Sequence, residues 1–253
     1  MKPSSWYRTR ARVALRGRYL LLVAARLFES LLTSAWGVLF YLLFFGMGIG
    51  FFHHFSPAAA GLLLVVSAIV LTVCLAMGIL IGSAMTAGYS RLVLKAVHKE
   101  EADWKDMLFG FKNLLFLRLF GASLLVGLAV IACALVEMIL FFVIALTGEG
   151  NMAVGIAALI LMVPSCLAVI YVELGFSQYV WLLVSRPECR VFEALSLSWK
   201  KMRGKRVKLF CLQFSFIGWY LLGSLSMGIG MLWIRPYIMT SEAMFYLDLV
   251  KEE

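Results

Sequence analysis

The chain has 253 residues, of which 63% are hydrophobic and only 15% are charged, and its mean hydropathy is +0.94. Soluble domains contain about 45–50% apolar and about 25% charged residues, so this composition excludes a water-soluble globular protein. The net charge of +9 comes from basic blocks between apolar stretches, a distribution typical of the cytoplasmic segments of a membrane protein and not of a nucleic-acid-binding surface.

Six apolar stretches along the chain are each long enough for a membrane-spanning helix, which needs about 20 apolar residues. They lack the strict alternation of a barrel strand, and a helix satisfies its own backbone hydrogen bonds within lipid. In chain order they are residues 19–45, 59–83, 114–147, 152–173, 207–226 and 231–249. The sequence therefore predicts an all-α, polytopic membrane protein with six transmembrane helices in one domain, residues 1–253.

The position of the basic residues orients these helices. Basic blocks precede the first stretch and follow the second and the fourth, whereas the intervening turns at 46–58, 148–151 and 226–230 contain no Lys or Arg. Because basic segments stay on the cytoplasmic side, both termini are expected in the cytoplasm.

A threefold internal pattern accompanies the basic blocks. Each block ends with a glycine, at Gly17, Gly110 and Gly204, and these glycines are almost evenly spaced. A Gly-Tyr-Ser element at 88–90 is similar to the Gly-Phe-Ser element at 175–177. We interpret the chain as three pseudo-repeats, at about 1–87, 88–175 and 176–250, each a cytoplasmic amphipathic segment followed by a helical hairpin.

The amphipathic segments of the second and third repeats combine aromatic and basic residues at helical spacing. Asp103 and Asp106 are placed to cap the start of the first of them. Two interpretations stay open: the segments lie in the membrane interface with their cations toward lipid phosphates, or they dock as short solvated helices on their own bundle. The candidate lipid contacts are Trp104, Lys105, Lys112, Trp199, Lys200, Lys201 and Arg203.

Ionisable residues within the apolar stretches are costly and therefore mark candidate functional groups. Either Arg26, Arg118, Glu173 and Glu242 form bridges between helices, or the carboxylates line a polar cavity for a cation, a proton or a lipid head group. Glu29, three residues after Arg26, is placed for an ion pair on the same helix. Glu137 has no evident partner and is a candidate for facing a ligand or a partner.

Catalytic and metal-binding signatures are not found in the sequence. The five cysteines lack the spacing of a metal or redox site, and there is no phosphate-binding loop or nucleophile motif. We therefore expect no catalytic residues, no cofactor and no bound metal, and a protein that is not an enzyme.

The C-terminal third of the chain resembles a bacterial integral-membrane family, the domain of unknown function 975. The resemblance is carried by Ser-Phe-Ile-Gly-Trp at 215–219, Gly-Ile-Gly at 228–230 and Pro-Tyr at 236–237, and the Gly-Tyr at 88–89 also fits. It implies a six-helix membrane domain in a bacterial plasma membrane and no established activity. A looser similarity to the membrane domain that accompanies some glycerophosphodiester phosphodiesterases implies an accessory role near lipid metabolism.

Two functions remain compatible with the sequence. The first is a non-catalytic accessory or scaffold module that binds lipid, in a bilayer with anionic phospholipids, or another membrane protein. The second is a transporter of an ion, a small molecule or a lipid through a polar intramembrane cavity. A nucleic-acid partner is not expected for either.

Overall fold

The apolar stretches form long helices, since only a helix pairs every backbone group within a single lipid-exposed segment. The computed structural model describes residues 2–53, 57–147 and 152–251, and this part of the chain contains helices and turns but no strand. Residues 54–56 of the predicted turn at 46–58 and the whole of the predicted turn at 148–151 lie outside the described residues. The helices are α1 (Ser4–Leu15), α2 (Tyr19–His53), α3 (Pro57–His98), a 3-10 helix (Trp104–Leu114), α4 (Leu115–Thr147), α5 (Met152–Phe176), α6 (Tyr179–Ser185), α7 (Val191–Lys201), α8 (Arg206–Phe214), α9 (Ile217–Leu225) and α10 (Met231–Lys251).

Four segments of the described chain are long and apolar enough to cross a membrane. They are Tyr19–Phe45, Val65–His98, Leu115–Ile139 and Ile160–Ser185. Helices α8 and α9 reach that length only as a pair, bent by 40° at the break between them. Helix α10 contains Arg235, Glu242 and Asp248 and does not meet the same test. The structure therefore supports four or five crossings and does not confirm the predicted six.

The start of α10 lies beside the start of α2. The Tyr19 hydroxyl donates a hydrogen bond to the Trp233 carbonyl at 2.6 Å. Helix α10 then packs along α1, and near the end of α10 Asp248 accepts a 2.6 Å hydrogen bond from the Tyr7 hydroxyl. A sixth crossing requires α10 to begin on the opposite membrane face, about 30 Å from the start of α2. This placement does not fit the sequence prediction of a transmembrane helix at 231–249.

The packed core lies at the basic ends of the helices. Fully buried side chains come from α1, the C-terminal part of α3, residues 181–184 of α6 and the second half of α10, including Tyr7, Leu92, Leu182 and Phe245. By contrast, only 6–17% of each apolar window in the four long segments is buried. These windows leave a contiguous apolar surface of the kind that lipid covers.

The 3-10 helix packs backbone to backbone on the C-terminal half of α3. A β-carbon on Gly88 would overlap the Met107 carbonyl, and one on Gly110 would overlap the Ala84 carbonyl. Four residues of an α-helix and three residues of a 3-10 helix each rise about 6 Å, so the two contacts stay in register along the antiparallel pair. Both glycines are therefore needed for this close approach.

The sequence predicted the spacing of an α-helix in this segment, and the structure shows a 3-10 helix instead. With three residues per turn, Met107 and Gly110 face α3, and Met107 is 2% exposed. Leu108 and Phe111 lie on another face and are about half exposed. We attribute the 3-10 geometry to the contact with α3, which requires Met107 and Gly110 to lie on the same side of the helix.

Polar contacts hold the start of the 3-10 helix against the C-terminal end of α3. The predicted cap is confirmed: the Trp104 amide donates to the Asp103 carboxylate at 2.7 Å, and the Asp103 amide donates to Asp106 at 3.1 Å. Asp106 also accepts a 2.8 Å hydrogen bond from Lys95 and lies 3.6 Å from the Arg91 Nε. Burial favours a higher pKa for Asp106, but the Lys95 hydrogen bond, the Asp103 amide and the two cations outweigh it and lower the pKa.

The repeat glycines play different local roles. Gly17 and Gly204 have φ values of 81° and 74° and end α1 and α7 in the left-handed conformation, whereas Gly110 packs against α3. Gly175 corresponds to Gly88 and likewise faces the segment that follows it, because a β-carbon there would overlap the Trp199 ring. The division into three pseudo-repeats stays a prediction.

We expect Gly88→Ala to lower the free energy of unfolding by about 1–3 kcal/mol, because the added methyl group forces α3 away from the 3-10 helix. Gly82→Ala is the matched control on the same helix, where a β-carbon would meet no atom within 4 Å. Thermal unfolding of the detergent-purified proteins measures the difference. Equal melting temperatures for the two variants would show that this backbone contact is not needed.

We expect the stability advantage of the native protein over Asp106→Asn to depend on pH. Because the folded-state pKa of Asp106 is lowered, the carboxylate stabilises the fold above the unfolded-state pKa of about 3.9. The advantage is lost as the pH falls from there through the folded-state pKa. Melting temperatures between about pH 7 and pH 3 test this, with the exposed Glu101→Gln as control. A constant difference across that range would contradict the assigned ion pair.

Candidate functional site

The structure separates the four residues predicted to bridge the helices. Arg26 instead forms an ion pair with Glu29 of the same helix, at 2.7 Å between Nη1 and Oε2, as the sequence spacing predicted. Arg118 donates to the Pro187 carbonyl in the turn before α7. Glu173 is exposed on α5. No bridge joining Arg26 or Arg118 to Glu173 or Glu242 forms within the described part of the chain.

Glu137 and Glu242 differ in their surroundings. Cys166 of α5 lies near enough to Glu137 of α4 for an electrostatic interaction, but the buried Glu137 Oε1 has no hydrogen-bond partner among the described residues. Glu242 accepts a 3.2 Å hydrogen bond from Gln213 of α8. Glu242 therefore joins α10 to α8, whereas the Glu137 carboxylate keeps one oxygen without a hydrogen-bond partner in the described part of the chain.

A polar group that the sequence did not predict surrounds the Arg26–Glu29 pair. Tyr89 of α3 is 1% exposed, and its hydroxyl has no hydrogen-bond partner among the residues described. It interacts electrostatically with Arg26, Glu29 and Arg235. Arg235 in turn interacts with Glu242, which links the two parts of the bundle. The sequence contains one indication of this polar group. Arg235 lies near the end of α10 that was predicted to face the outside, where the positive-inside rule disfavours a cation.

The predicted interfacial residues of the 3-10 helix lie at the surface. Trp104, Lys105 and Lys112 are exposed, next to the exposed side chains of Leu108 and Phe111. We call these five residues the basic-aromatic face. With three residues per turn, Lys105, Leu108 and Phe111 share one side of the 3-10 helix, and the exposed side chains of Trp104 and Lys112 flank that side at its two ends.

The corresponding residues of α7 are divided between surface and interior. The Trp199 ring packs 5.0 Å from Phe176 and 4.0 Å from the Arg206 guanidinium, and Lys201 is 9% exposed. Lys200 and Arg203 are exposed. Of the two interpretations left open by the sequence, α7 follows the second and docks on its own bundle through Trp199 and Lys201.

A cavity of about 620 Å³ opens between α1, the start of α2, α9 and α10. Its walls combine two arginines with four aromatic rings and two aliphatic side chains. They are Arg12, Leu15, Arg16, Tyr19, Trp219, Trp233, Ile234 and Tyr237. The cavity lining contains no acidic residue.

Hydrogen bonds and ring contacts hold the cavity walls in place. The Arg12 Nε donates to the Tyr237 hydroxyl at 3.1 Å, and the Arg12 guanidinium stands 5.4 Å over the same ring. Tyr237 also makes edge contacts with Trp219, at 6.2 Å between ring centroids. Arg16 is exposed, and the described residues provide it with no ion-pair or hydrogen-bond partner for its side chain. The cavity is therefore positively charged at one side and aromatic at the other.

The arginines of α1 form a stripe toward the C-terminal hairpin. Arg8 and Arg12 are four residues apart and share one face of α1, and Arg16 follows at the same spacing directly after the helix ends. Arg8 donates to the Ser215 carbonyl at 3.2 Å, which places the stripe against the break between α8 and α9. The sequence reasoning used these arginines only for orientation, although their spacing was a signal for a helix face with a common partner.

The comparisons with known proteins give one match. A family described as "Protein of unknown function (DUF975)" matches residues 29–253, which covers most of α2 and every later helix. No curated protein and no solved structure matches the chain. Helix α1, with the two cavity arginines, precedes the matched residues. The chain belongs to the DUF975 family, as the residues of its C-terminal third indicated.

Proposed function

We propose that this chain is a non-catalytic integral membrane module that binds anionic lipid at its basic end. The observation that carries the proposal is the basic-aromatic face, which is exposed although the rest of the 3-10 helix is packed on α3. Helix faces that combine lysines with tryptophan, leucine and phenylalanine suit the boundary between head groups and acyl chains. Anionic lipids of the cytoplasmic leaflet attract such lysines.

The proposed topology has four crossings and one hairpin that enters the membrane without crossing it. The hydrogen bond from Tyr19 to Trp233 supports it, because it places the start of α10 beside the start of α2. The turn between α9 and α10 is apolar and exposed, with Leu225 at 82% and Met227 at 93%. Lipid is the medium in which such a turn is stable. Four crossings leave both termini on the cytoplasmic side of the bacterial plasma membrane, as six would.

A transporter is the second candidate, and the polar group around Tyr89 favours it. Arg26 and Glu29 form an ion pair, and Tyr89 interacts electrostatically with both of them and with Arg235, in the inner part of the bundle where polar groups are costly without a structural or transport role. The Arg26–Glu29 ion pair supports a structural role equally well. Ion or solute flux into vesicles that contain the purified protein, lost in Tyr89→Phe, would favour transport over the accessory module.

Neutralising the lysines of the basic-aromatic face tests the accessory module. We expect Lys105→Gln/Lys112→Gln to lower the ratio of phosphatidylglycerol to phosphatidylethanolamine in polymer-extracted particles by about two- to fivefold. Lipid mass spectrometry measures that ratio. The control is Lys251→Gln, which removes an exposed cation at the end of α10. An unchanged ratio in the double variant would contradict lipid binding by this face.

Cysteine labelling tests the topology. In a variant without the native cysteines, Met227→Cys is expected to resist a membrane-impermeant maleimide added to intact cells, because the α9–α10 turn lies within the membrane. Thr147→Cys at the end of α4 is the control for the outer side, and Lys105→Cys for the inner side. Labelling of Met227→Cys from outside would restore the six-crossing arrangement.

A further inference from the structure

We propose that the cavity between α1, α9 and α10 binds one anionic phospholipid, whose phosphate is held by Arg12 and Arg16. The inference rests on the proposed function, because a lipid reaches this cavity only if the basic end of the protein lies at the membrane surface. It concerns a different part of the chain from the basic-aromatic face. It also assigns a single bound molecule and not a general preference for charged lipid.

The charge of the cavity selects an anion. One guanidinium group comes from the last turn of α1 and one from Arg16 directly after it, and no carboxylate lines the cavity to neutralise them. Arg12 uses its Nε for Tyr237, and its terminal amino groups have no hydrogen-bond acceptor among the described side chains and carbonyls. Arg16 is exposed. Guanidinium groups bind phosphate oxygens through paired, charge-assisted hydrogen bonds.

The aromatic walls select an amphiphile. Trp219 and Trp233 are 40% and 50% exposed, and Tyr19 and Tyr237 complete the lining. Tryptophan and tyrosine concentrate at membrane interfaces because each ring offers an apolar body and a polar atom. The apolar exposed side chains Leu221 and Leu222 of α9 lie on the continuation of this helix toward the α9–α10 turn, where acyl chains would run.

Contacts within the protein hold most of the cavity walls in place. Tyr237 is held by Arg12 and by edge contacts with Phe216 and Trp219, and Tyr19 is held by the Trp233 carbonyl. A volume of about 620 Å³ accommodates a glycerophosphate head group and the first part of its chains. Because few side chains must be ordered on binding, the entropic cost of association is small.

Native mass spectrometry of the full-length, detergent-purified protein with added phosphatidylglycerol tests the proposal. The native chain is expected to retain one tightly bound phosphatidylglycerol, and Arg12→Gln/Arg16→Gln is expected to lose at least about tenfold in affinity. If the double variant fails to fold, Arg16→Gln alone serves, because the Arg16 side chain makes no described contact whose loss would unfold the chain. Arg10→Gln is the matched control: this arginine stands 5.2 Å over Trp6, outside the cavity.

Three results would overturn the proposal. The first is unchanged phosphatidylglycerol affinity in Arg16→Gln, and the second is an equal loss in Arg10→Gln, which would indicate a general charge effect. The third is displacement of the lipid by inorganic phosphate at similar concentration, which would assign a site for a free anion. A different result would refute only the proposed role of the basic-aromatic face. In that case the native chain still binds one phosphatidylglycerol in the cavity, but the lipid ratio is unchanged in Lys105→Gln/Lys112→Gln.

Discussion

The close approach of two backbones, α3 and the 3-10 helix, is the contact on which the basic end of this protein depends. There is no room for a side chain at Gly88 or at Gly110. Four residues of α3 and three residues of the 3-10 helix rise by the same distance, so both contacts stay in register. The contact fixes which face of the 3-10 helix is buried. It thereby decides that Lys105, Leu108 and Phe111 are exposed together, and it brings Asp106 to Lys95. The candidate lipid surface is thus a consequence of a packing constraint.

The basic end of the protein and its long apolar segments differ in how they are stabilised. At the basic end the side chains of α1, α3, α6 and α10 form a packed core, as they would in a soluble domain. Along the four long apolar segments few side chains are buried, so burial within the protein contributes little there. The boundary between the two regions carries the Arg12 and Arg16 cavity and the polar group around Tyr89. Polar and aromatic side chains are least costly at such a boundary, which explains why both candidate sites lie there.

The third hairpin is the part of the chain that departs from the pattern of the other two. Its first helix is broken between α8 and α9, and its second helix carries charges at Arg235, Glu242 and Asp248. Arg235 and Glu242 interact with each other, and Asp248 accepts from Tyr7 of α1. A hairpin stabilised by polar contacts near the basic end suits partial entry into the membrane better than a full crossing.

The sequence alone determined the all-helical membrane class, the family, the Arg26–Glu29 pair and the capped start of the 3-10 helix. These follow from composition, from local motifs and from neighbours three residues apart, which need no knowledge of distant contacts. The tertiary structure decided the helix type at Trp104–Leu114, the separation of Arg118 and Glu173, and the cavity between α1 and α10. Each of these depends on which faces meet across the fold. The cavity joins residues more than 200 positions apart, and no periodicity in either segment encodes that meeting.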